Sequence, residues 1–209
     1  MTISNSDLKP RRKPSQSRAW MTSEAIQDAF LIVLLEKGYE AVSMRDIAGV
    51  AGVGLGTLYL YFPNKGSIAA VAVRRWVRTL AAALAKAGED ATPPHVLGKA
   101  DALVQAYVRL VLERPDPWRA LIMLERRISS LEIYGQLYRD HVEIVRQALA
   151  TASDPLTGPR LEAAAFTVFT IVDGMVRNSL LTLPRVPEEA DLTREIRQAV
   201  RGYLQAALG

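Results

Sequence analysis

Side chains that can bind a nucleic-acid backbone are concentrated between residues 43 and 65. Thr57 and Tyr59 carry hydroxyls that can donate hydrogen bonds to phosphate oxygens, and we expect both on the exposed side of a short helix. Leu58 and Phe62 are expected on its buried side. Phosphate contacts supply most of the affinity for a nucleic acid, whereas base edges in the major groove supply sequence information. The segment therefore has the residue types needed to hold a phosphate backbone.

Two short helices joined by a tight turn would present these side chains, and the sequence contains start or stop signals for both helices. Ser43 and Asp46 have the spacing of a capping box, which satisfies the free amides of a first helical turn. Gly52 can adopt the positive φ that ends this helix. A second helix is expected to run from about residue 54 to Tyr61, because the residue before Pro63 avoids the helical region. The pattern is that of a helix-turn-helix.

Neither helix is long enough to be stable alone, since isolated helices shorter than about 12 to 15 residues are marginal in water. Two flanking helices can supply the packing. Residues 22–37 carry apolar side chains at helical spacing, and Gly38 ends that run. Asn64 can cap a long helix that follows the motif.

Residues 22–68 resemble the DNA-binding domain of the TetR family of bacterial transcriptional regulators. The resemblance is strongest in residues 36–48 (EKGYEAVSMRDIA) and 56–65 (GTLYLYFPNK). It implies a helix-turn-helix domain followed by a larger all-helical region.

The resemblance also implies roles for individual residues. Thr57, Tyr59 and Lys65 match positions that contact the DNA backbone. Ser43 matches the position that caps the second helix near a phosphate, and Arg45 matches an outward position from which a guanine can be read. A bidentate contact from arginine to guanine is the commonest specific contact in the major groove.

Leu55 departs from the family's pattern, in which the recognition helix often begins with a polar or basic residue. It is flanked by Gly54 and Gly56. An apolar side chain at this place can contact a thymine methyl group but cannot hydrogen-bond a base.

Other interpretations of the motif remain open. Tyr59 and Tyr61 could be core aromatics. The glycines of residues 52–57 could also form a phosphate-binding loop, although such a loop should follow a strand and this one follows a predicted helix.

Residues 1–19 are predicted to form a flexible arm, because they lack apolar periodicity. The arm is either a solvated tail or a segment that contacts the minor groove or phosphates. The formal charge of +4 is weak support for DNA binding by itself, whereas the local basic cluster is better support. That cluster consists of Lys9, Arg11, Arg12, Lys13 and Arg18.

The composition excludes several classes of protein. The chain has no cysteine, so disulfides, thiolate catalysis and zinc–thiolate sites are excluded. Its longest unbroken apolar run, residues 29–35, is far shorter than the roughly 20 residues that a membrane span needs. The N-terminus lacks the apolar core of a signal peptide. We therefore expect a cytoplasmic protein without a membrane partner.

The sequence nowhere shows a convincing alternation of apolar and polar residues, which is the pattern of a strand. The predicted fold class is therefore all-α with about nine helices. The predicted domains are a helix-turn-helix domain over residues 20–66 and a helical ligand-binding and dimerisation domain over residues 67–209. Residues 88–98, with two prolines, are the best candidate for a linker between helices.

The last two predicted helices, residues 159–183 and 188–208, have broad apolar surfaces. The resemblance implies that they form a homodimer interface, with Val168 and Ile171 as test positions. The alternative is that these apolar residues form the core within one chain.

An aromatic and methionine set in the central helices favours an apolar, flat or aromatic small-molecule effector, although such residues more often form a core. Arg126, Arg127 and Arg177 could supply a cationic contact to a carboxylate on the ligand. The set consists of Tyr107, Trp118, Met123, Tyr134, Tyr138, Phe166 and Phe169.

Neither a metal site nor a catalytic site is predicted. His95 and His141 do not share a helix face at metal-ligand spacing. Asp173 lies four residues before Arg177, which favours a structural pair within one helix over a catalytic role. We expect no cofactor and no enzyme activity.

The sequence thus predicts a ligand-responsive repressor that binds a pseudo-palindromic operator as a homodimer. One alternative is a helical DNA-binding protein without a small-molecule ligand. Another is a helical enzyme with an accessory DNA-binding domain.

Overall fold

The computed structural model describes residues 17–208, and in that range the protein is all-helical. The predicted all-α fold with about nine helices is confirmed over these residues. Most of the predicted basic arm lies outside them, and positions 17–19 already belong to the first helix. The helices are α1 (Ser17–Ala41), α2 (Met44–Ala51), α3 (Leu55–Tyr61), α4 (Lys65–Asp90), α5 (Val96–Leu112), α6 (Pro115–Ile128), α7 (Leu131–Ala150), α8 (Gly158–Thr182) and α9 (Glu189–Leu208).

Gly38 breaks the helical geometry inside α1. Its φ of 72° and ψ of 157° lie outside the helical region, and a positive φ of this kind is strained for any residue with a Cβ. The break falls where the sequence predicts the end of the first helix, and it sets the path of the chain towards α2.

The described chain forms two compact units. Unit 1 contains the residues up to Trp76 together with Asp116–Ser130, and unit 2 contains Val77–Pro115 and the residues from Leu131 onwards. The units therefore divide inside α4, ten residues after the predicted domain boundary, and α6 belongs with the N-terminal helices.

Unit 1 is built around apolar side chains that α1 to α4 bury together. Burying each such side chain stabilises the fold by about 1.5 to 3 kcal/mol. Trp118 attaches α6 to this unit, because its ring meets that of Trp76 edge-on at a centroid distance of 4.9 Å. The most deeply buried members are Phe30, Ile47, Leu58, Phe62 and Ile68.

Unit 2 packs α5, α7, α8 and α9 around a second apolar core, whose fully buried side chains include Leu103, Val176 and Ile196. Gly88 allows a close approach of α4 to α7, because a Cβ at that position would lie only 2.6 Å from the Cβ of Ala148.

By length and composition alone, α8 could cross a membrane. Half of its most apolar 18-residue stretch is buried inside the protein, however, and the core helix of a globular protein can be equally long and apolar.

Candidate nucleic-acid interface

A reciprocal capping box begins α2 and confirms the predicted role of Ser43 in capping. The Ser43 hydroxyl accepts a hydrogen bond from the Asp46 backbone N–H at 3.1 Å and donates to the Asp46 carboxylate at 2.6 Å. Lys37 Nζ donates to the same carboxylate at 2.9 Å. The hydrogen bond from Ser43, followed by that from Lys37, lowers the pKa of Asp46 to about 2. The start of α2 is thus held by side chains from two helices.

The turn between α2 and α3 is tight because Gly52 adopts the left-handed conformation, with φ 66° and ψ 28°. Its N–H donates to the carbonyl of Gly49 at 3.3 Å, and that of Val53 donates to the carbonyl of Ala48 at 3.1 Å. The predicted helix end at this glycine is confirmed.

The α3 helix has one buried and one exposed side. Leu58 and Phe62 are 0% and 1% exposed, as predicted. Thr57 is exposed and Tyr59 is 41% exposed, so both hydroxyl residues lie on the outward side, and Tyr61 is half-buried. The core interpretation of Tyr59 does not fit this exposure.

Arg45 extends the exposed polar side chains onto α2. It is exposed, and no described residue forms a hydrogen bond or an ion pair with its guanidinium.

Leu55 and its two flanking glycines are exposed at the start of α3. A Cβ at Gly56 would meet no atom within 4 Å, and one at Gly54 would touch only the Thr57 hydroxyl oxygen at 3.8 Å. Packing within the chain therefore does not require glycine at either place. Close approach of an external surface is one physical reason for a residue without a side chain.

Lys65 has an internal role that the sequence prediction missed. Its ammonium group donates to the backbone carbonyls of Tyr39, Glu40 and Val42 at 2.9, 2.9 and 3.1 Å, and it lies 4.9 Å from the centre of the Tyr39 ring. An ammonium group has three protons, and all three have partners here. A phosphate contact from Lys65 would have to break one of these bonds. In this conformation the residue therefore joins the start of α4 to the end of α1 and the connection to α2.

Further contacts at the end of α1 were also missed. Arg127 of α6 forms an ion pair with Glu40 and lies 5.3 Å from the Tyr39 ring centre. Burial raises the pKa of Tyr39, and the Arg127 charge opposes that rise. These contacts join residues far apart in sequence, so local spacing gives no signal for them.

Two exposed apolar residues of the helix-turn-helix were also missed. Leu60 is 65% exposed and Val50 is 48% exposed. Leu60 lies two positions after buried Leu58, and that helical spacing would have placed it on the outward side.

The seven predicted ligand-binding residues do not form one cluster. Trp118 packs on Trp76 in unit 1, and Met123 is 63% exposed on the same unit. The other five lie in unit 2 and are linked by ring contacts: Tyr134 to Tyr138 at 6.3 Å, Tyr138 to Phe166 at 6.1 Å, Tyr138 to Phe169 at 4.9 Å, and Tyr107 to Phe169 at 6.5 Å. We call these five residues the aromatic cluster.

A buried polar group adjoins this cluster. Arg177 Nε donates to Asp173 Oδ1 at 2.7 Å, which confirms the predicted pair within α8. The Tyr107 hydroxyl donates to the same oxygen at 2.5 Å. Burial, reinforced by the Asp173 charge, raises the pKa of Tyr107 well above its usual value, so the phenol stays neutral and can donate. Asp173 is therefore satisfied inside the protein, as buried charges generally are. Arg127, for its part, pairs with Glu40 in unit 1.

The residues predicted for the dimer interface are corrected in part. Val168 is 1% exposed, and Leu192, Ile196 and Val200 of α9 are also buried within one chain. These positions belong to the core, as the alternative interpretation held. The exposed sides of the same two helices carry Phe166, Leu181, Ala199, Gly202 and Ala206; of these, Ala199 was part of the apolar face predicted for the last helix.

An open groove of about 630 Å³ runs along α9, and three arginines line it. Arg194 pairs with Asp191 at 2.8 Å, Arg201 pairs with Asp101, and Arg197 donates to Gln105 at 3.0 Å. Because protein groups already neutralise or engage these cations, the groove is not a free anion site. Over the described residues, no group of three or more histidine, aspartate or glutamate side chains has metal-site geometry.

Comparison with known proteins covers both parts of the chain. Residues 26–72 match the family model described as "Bacterial regulatory proteins, tetR family", and residues 99–204 match that described as "Tetracyclin repressor-like, C-terminal domain". The second match spans half of the chain.

Among curated proteins, the chain is similar to the HTH-type transcriptional repressor KstR. It is 55% identical to KstR of Mycolicibacterium smegmatis over 40 residues, which are 19% of this chain and 20% of that protein. It is 48% identical to KstR of Rhodococcus jostii over 50 residues, which are 24% of each chain. The similarity thus covers a quarter or less of the length of these relatives.

Among solved structures, a TetR-family regulator from Streptomyces coelicolor has a TM-score of 0.65 at 22% identity, covering 90% of this chain and 98% of that one. FadR from Bacillus subtilis, solved in complex with stearoyl-CoA, has a TM-score of 0.69 at 20% identity, covering 85% and 96%. At this identity the likeness shows the fold alone. With both family models matched, the chain belongs to the tetR family of bacterial regulatory proteins and is a DNA-binding regulator built on its helix-turn-helix.

Proposed function

We propose that this protein is a transcriptional repressor that binds a pseudo-palindromic operator as a homodimer and leaves it when a small, largely apolar molecule binds unit 2. The observation that carries the DNA-binding part is the outward side of α2 and α3. Arg45, Thr57 and Tyr59 are exposed there, while Leu58 and Phe62 anchor α3 in the core.

The side chains on this surface divide into two roles. The hydroxyls of Thr57 and Tyr59 donate to phosphates and so set register and affinity. Arg45 reads a guanine from the major groove, and exposed Leu55 contacts a thymine methyl group. The capping box and the Lys65 bonds hold the helices in place, so little order has to be gained on binding.

Dimerisation uses the exposed sides of α8 and α9. Phe166 and Leu181 are 55% and 42% exposed, and Ala199, Gly202 and Ala206 provide a surface of small residues that allows helices to approach closely. Two copies are needed because one small helix-turn-helix makes too few contacts for strong operator affinity.

The aromatic cluster of unit 2 favours a ligand with an apolar body. The FadR relative in the fold comparison was solved with stearoyl-CoA, which has a long apolar chain. A ligand releases the operator only if it binds the DNA-free state more tightly than the DNA-bound state. A DNA-binding protein without any ligand is the alternative, and a screen that finds no releasing compound would favour it.

Selection of DNA from a random pool by the purified protein is the first experiment. We expect an inverted repeat. Arg45→Ala should then cost about 1 to 3 kcal/mol at one base pair of each half-site and leave the melting temperature unchanged. A selected pool without a shared sequence, or an Arg45→Ala variant with unaltered base preference, would contradict the proposed readout.

A further inference from the structure

His141 carries a polar atom that the protein leaves unused inside unit 2. The residue lies on α7 and is only 5% exposed. Its Nδ1 lies 2.7 Å from the backbone carbonyl oxygen of Leu137. Among the described residues, no group forms a hydrogen bond with its Nε2, which is fully buried.

The contact with Leu137 determines which nitrogen carries the proton. A carbonyl oxygen only accepts, so Nδ1 must donate. In the neutral ring Nε2 is then an acceptor with a free lone pair. Leaving a buried acceptor unpaired destabilises a protein, and such atoms are rare in native structures.

The surroundings of this acceptor are aromatic. The His141 ring stacks on Phe169 with centroids 5.3 Å apart and planes 10° apart, and Phe169 also contacts Tyr107 and Tyr138. The two tyrosine hydroxyls already have partners, since Tyr107 bonds Asp173 at 2.5 Å and Tyr138 bonds Thr170 at 2.7 Å. A buried water needs two to four polar partners, and the aromatic surroundings of Nε2 supply few polar groups.

The aromatic cluster leads from this acceptor to the surface. Phe169 is buried, Tyr138 and Tyr134 are half-buried, and Phe166 is 55% exposed. A flat apolar molecule can therefore contact a continuous series of rings, stacked near His141 and edge to face between Phe169, Tyr138 and Phe166.

We infer that His141 Nε2 is the polar anchor of an effector site, where it accepts a hydrogen bond from a hydroxyl group on a flat, otherwise apolar ligand. The inference rests on the proposed function, which requires a ligand in unit 2, and it adds the chemical class of that ligand. A hydroxylated aromatic or alicyclic compound satisfies both the rings and the unused acceptor.

The test uses two probes of nearly equal size, 2-naphthol and 2-methylnaphthalene, titrated calorimetrically into the full-length protein. We expect 2-naphthol to bind about tenfold more tightly, the worth of one neutral hydrogen bond in a dry site. In His141→Leu the preference for 2-naphthol over 2-methylnaphthalene should disappear, while the affinity for 2-methylnaphthalene stays within about threefold of that of the parent protein. Tyr138→Phe removes a neighbouring hydroxyl of the same cluster and should keep the preference.

A second measurement does not depend on the variants folding. The chain has only two histidines, so the nitrogen-15 resonances of both rings can be assigned. The Nε2 signal of His141 should move when 2-naphthol is added and stay in place with 2-methylnaphthalene, while His95, whose Nδ1 accepts from the Gly98 N–H at 2.9 Å, serves as the internal reference.

Several results would overturn the inference. They are binding of neither probe, equal binding of both, loss of the preference in Tyr138→Phe, or tighter binding of the acceptor-only compound 2-acetylnaphthalene than of 2-naphthol. The two proposals fail separately. If apolar compounds release the operator without a hydroxyl preference, only the His141 anchor is wrong; if the protein selects no operator, the proposed function is wrong whichever probe binds.

Discussion

At the scale of single residues, the helix-turn-helix depends on a few charged groups that are tied to the protein rather than free for a ligand. Lys65 illustrates this, because its ammonium group binds two carbonyls in the last turn of α1 and one in the connection to α2. Asp46 is similarly engaged by Ser43 and Lys37. Arg45 is a cation that remains available on the outward side. Position near DNA and availability for DNA are therefore separate properties.

Lys65→Met should lower the free energy of unfolding by about 1 to 3 kcal/mol, because carbonyls that accept from a cation lose their donor. Operator affinity should fall, but the slope of log affinity against log salt should stay the same, since no phosphate contact is removed. Chemical denaturation and fluorescence anisotropy over a salt series measure both. If the salt slope of Lys65→Met instead fell by about one and its stability were unchanged, the result would support the phosphate contact predicted from the sequence.

Asp46→Asn should remove part of the acid sensitivity of the N-terminal domain. The carboxylate has a lowered pKa of about 2, so its stabilising contribution is present above its unfolded pKa near 4 and is lost as the pH falls through the folded value. Thermal unfolding monitored from pH 5 to pH 2 should show a shallower loss of melting temperature for the variant than for the parent. The pKa of Glu143 is also lowered to about 2, by the hydrogen bond from Arg146. The contribution of Asp46 is therefore given only by the difference in melting temperature between the variant and the parent. Parallel curves would contradict the prediction.

At the scale of elements, α8 and α9 each have a buried and an exposed side, and the two sides carry different residues. The apolar stripes that include Val168 and Val200 form the core of unit 2. The sides that carry Phe166 and Ala199 remain exposed within one chain. A dimer can form through the second pair of sides without disturbing the first.

Ala199→Glu and Val168→Glu should therefore behave differently. The first should leave the helical circular dichroism signal and the melting temperature nearly unchanged but shift the protein towards monomers, because it places charges on the exposed side. The second should destabilise the fold by about 4 kcal/mol or more, because it buries an unpaired carboxylate. Light scattering after gel filtration measures the mass. A dimeric Ala199→Glu variant at micromolar concentration would place the interface elsewhere.

At the scale of the whole molecule, α6 belongs to the N-terminal unit, since Trp118 contacts Trp76 and Arg127 contacts Glu40. The aromatic cluster lies in unit 2. Under the proposed function, DNA binding and ligand binding belong to separate units of one chain, and two chains bind one operator.

Operator half-sites should be separated by about one helical turn, 10 to 10.5 base pairs, or a multiple of it. Inserting five base pairs between them should abolish cooperative binding, because it rotates one half-site to the opposite side of the duplex, whereas inserting ten should restore part of it. Gel-shift titration of the three operators measures this. Equal affinity for all three would show that the protein binds its half-sites independently.

The sequence by itself determined the features that depend on neighbouring residues. The capping box at Ser43, the left-handed turn at Gly52, the proline-marked helix ends and the buried side of α3 all follow from interactions within about four positions. Caps, turns and helical spacing are short-range effects, so their residue types are sufficient to predict them.

Only the tertiary structure decided what depends on distant residues. Lys65 has partners 23 to 26 positions away, Trp118 packs on Trp76, and Arg127 reaches Glu40. Periodicity shows that Val168 lies on an apolar face, but it cannot distinguish burial against the same chain from burial against a second copy, because both remove equal area from water. The free Nε2 of His141 likewise follows from how α7 packs on α8, since a histidine in a sequence does not reveal which of its nitrogens finds a partner.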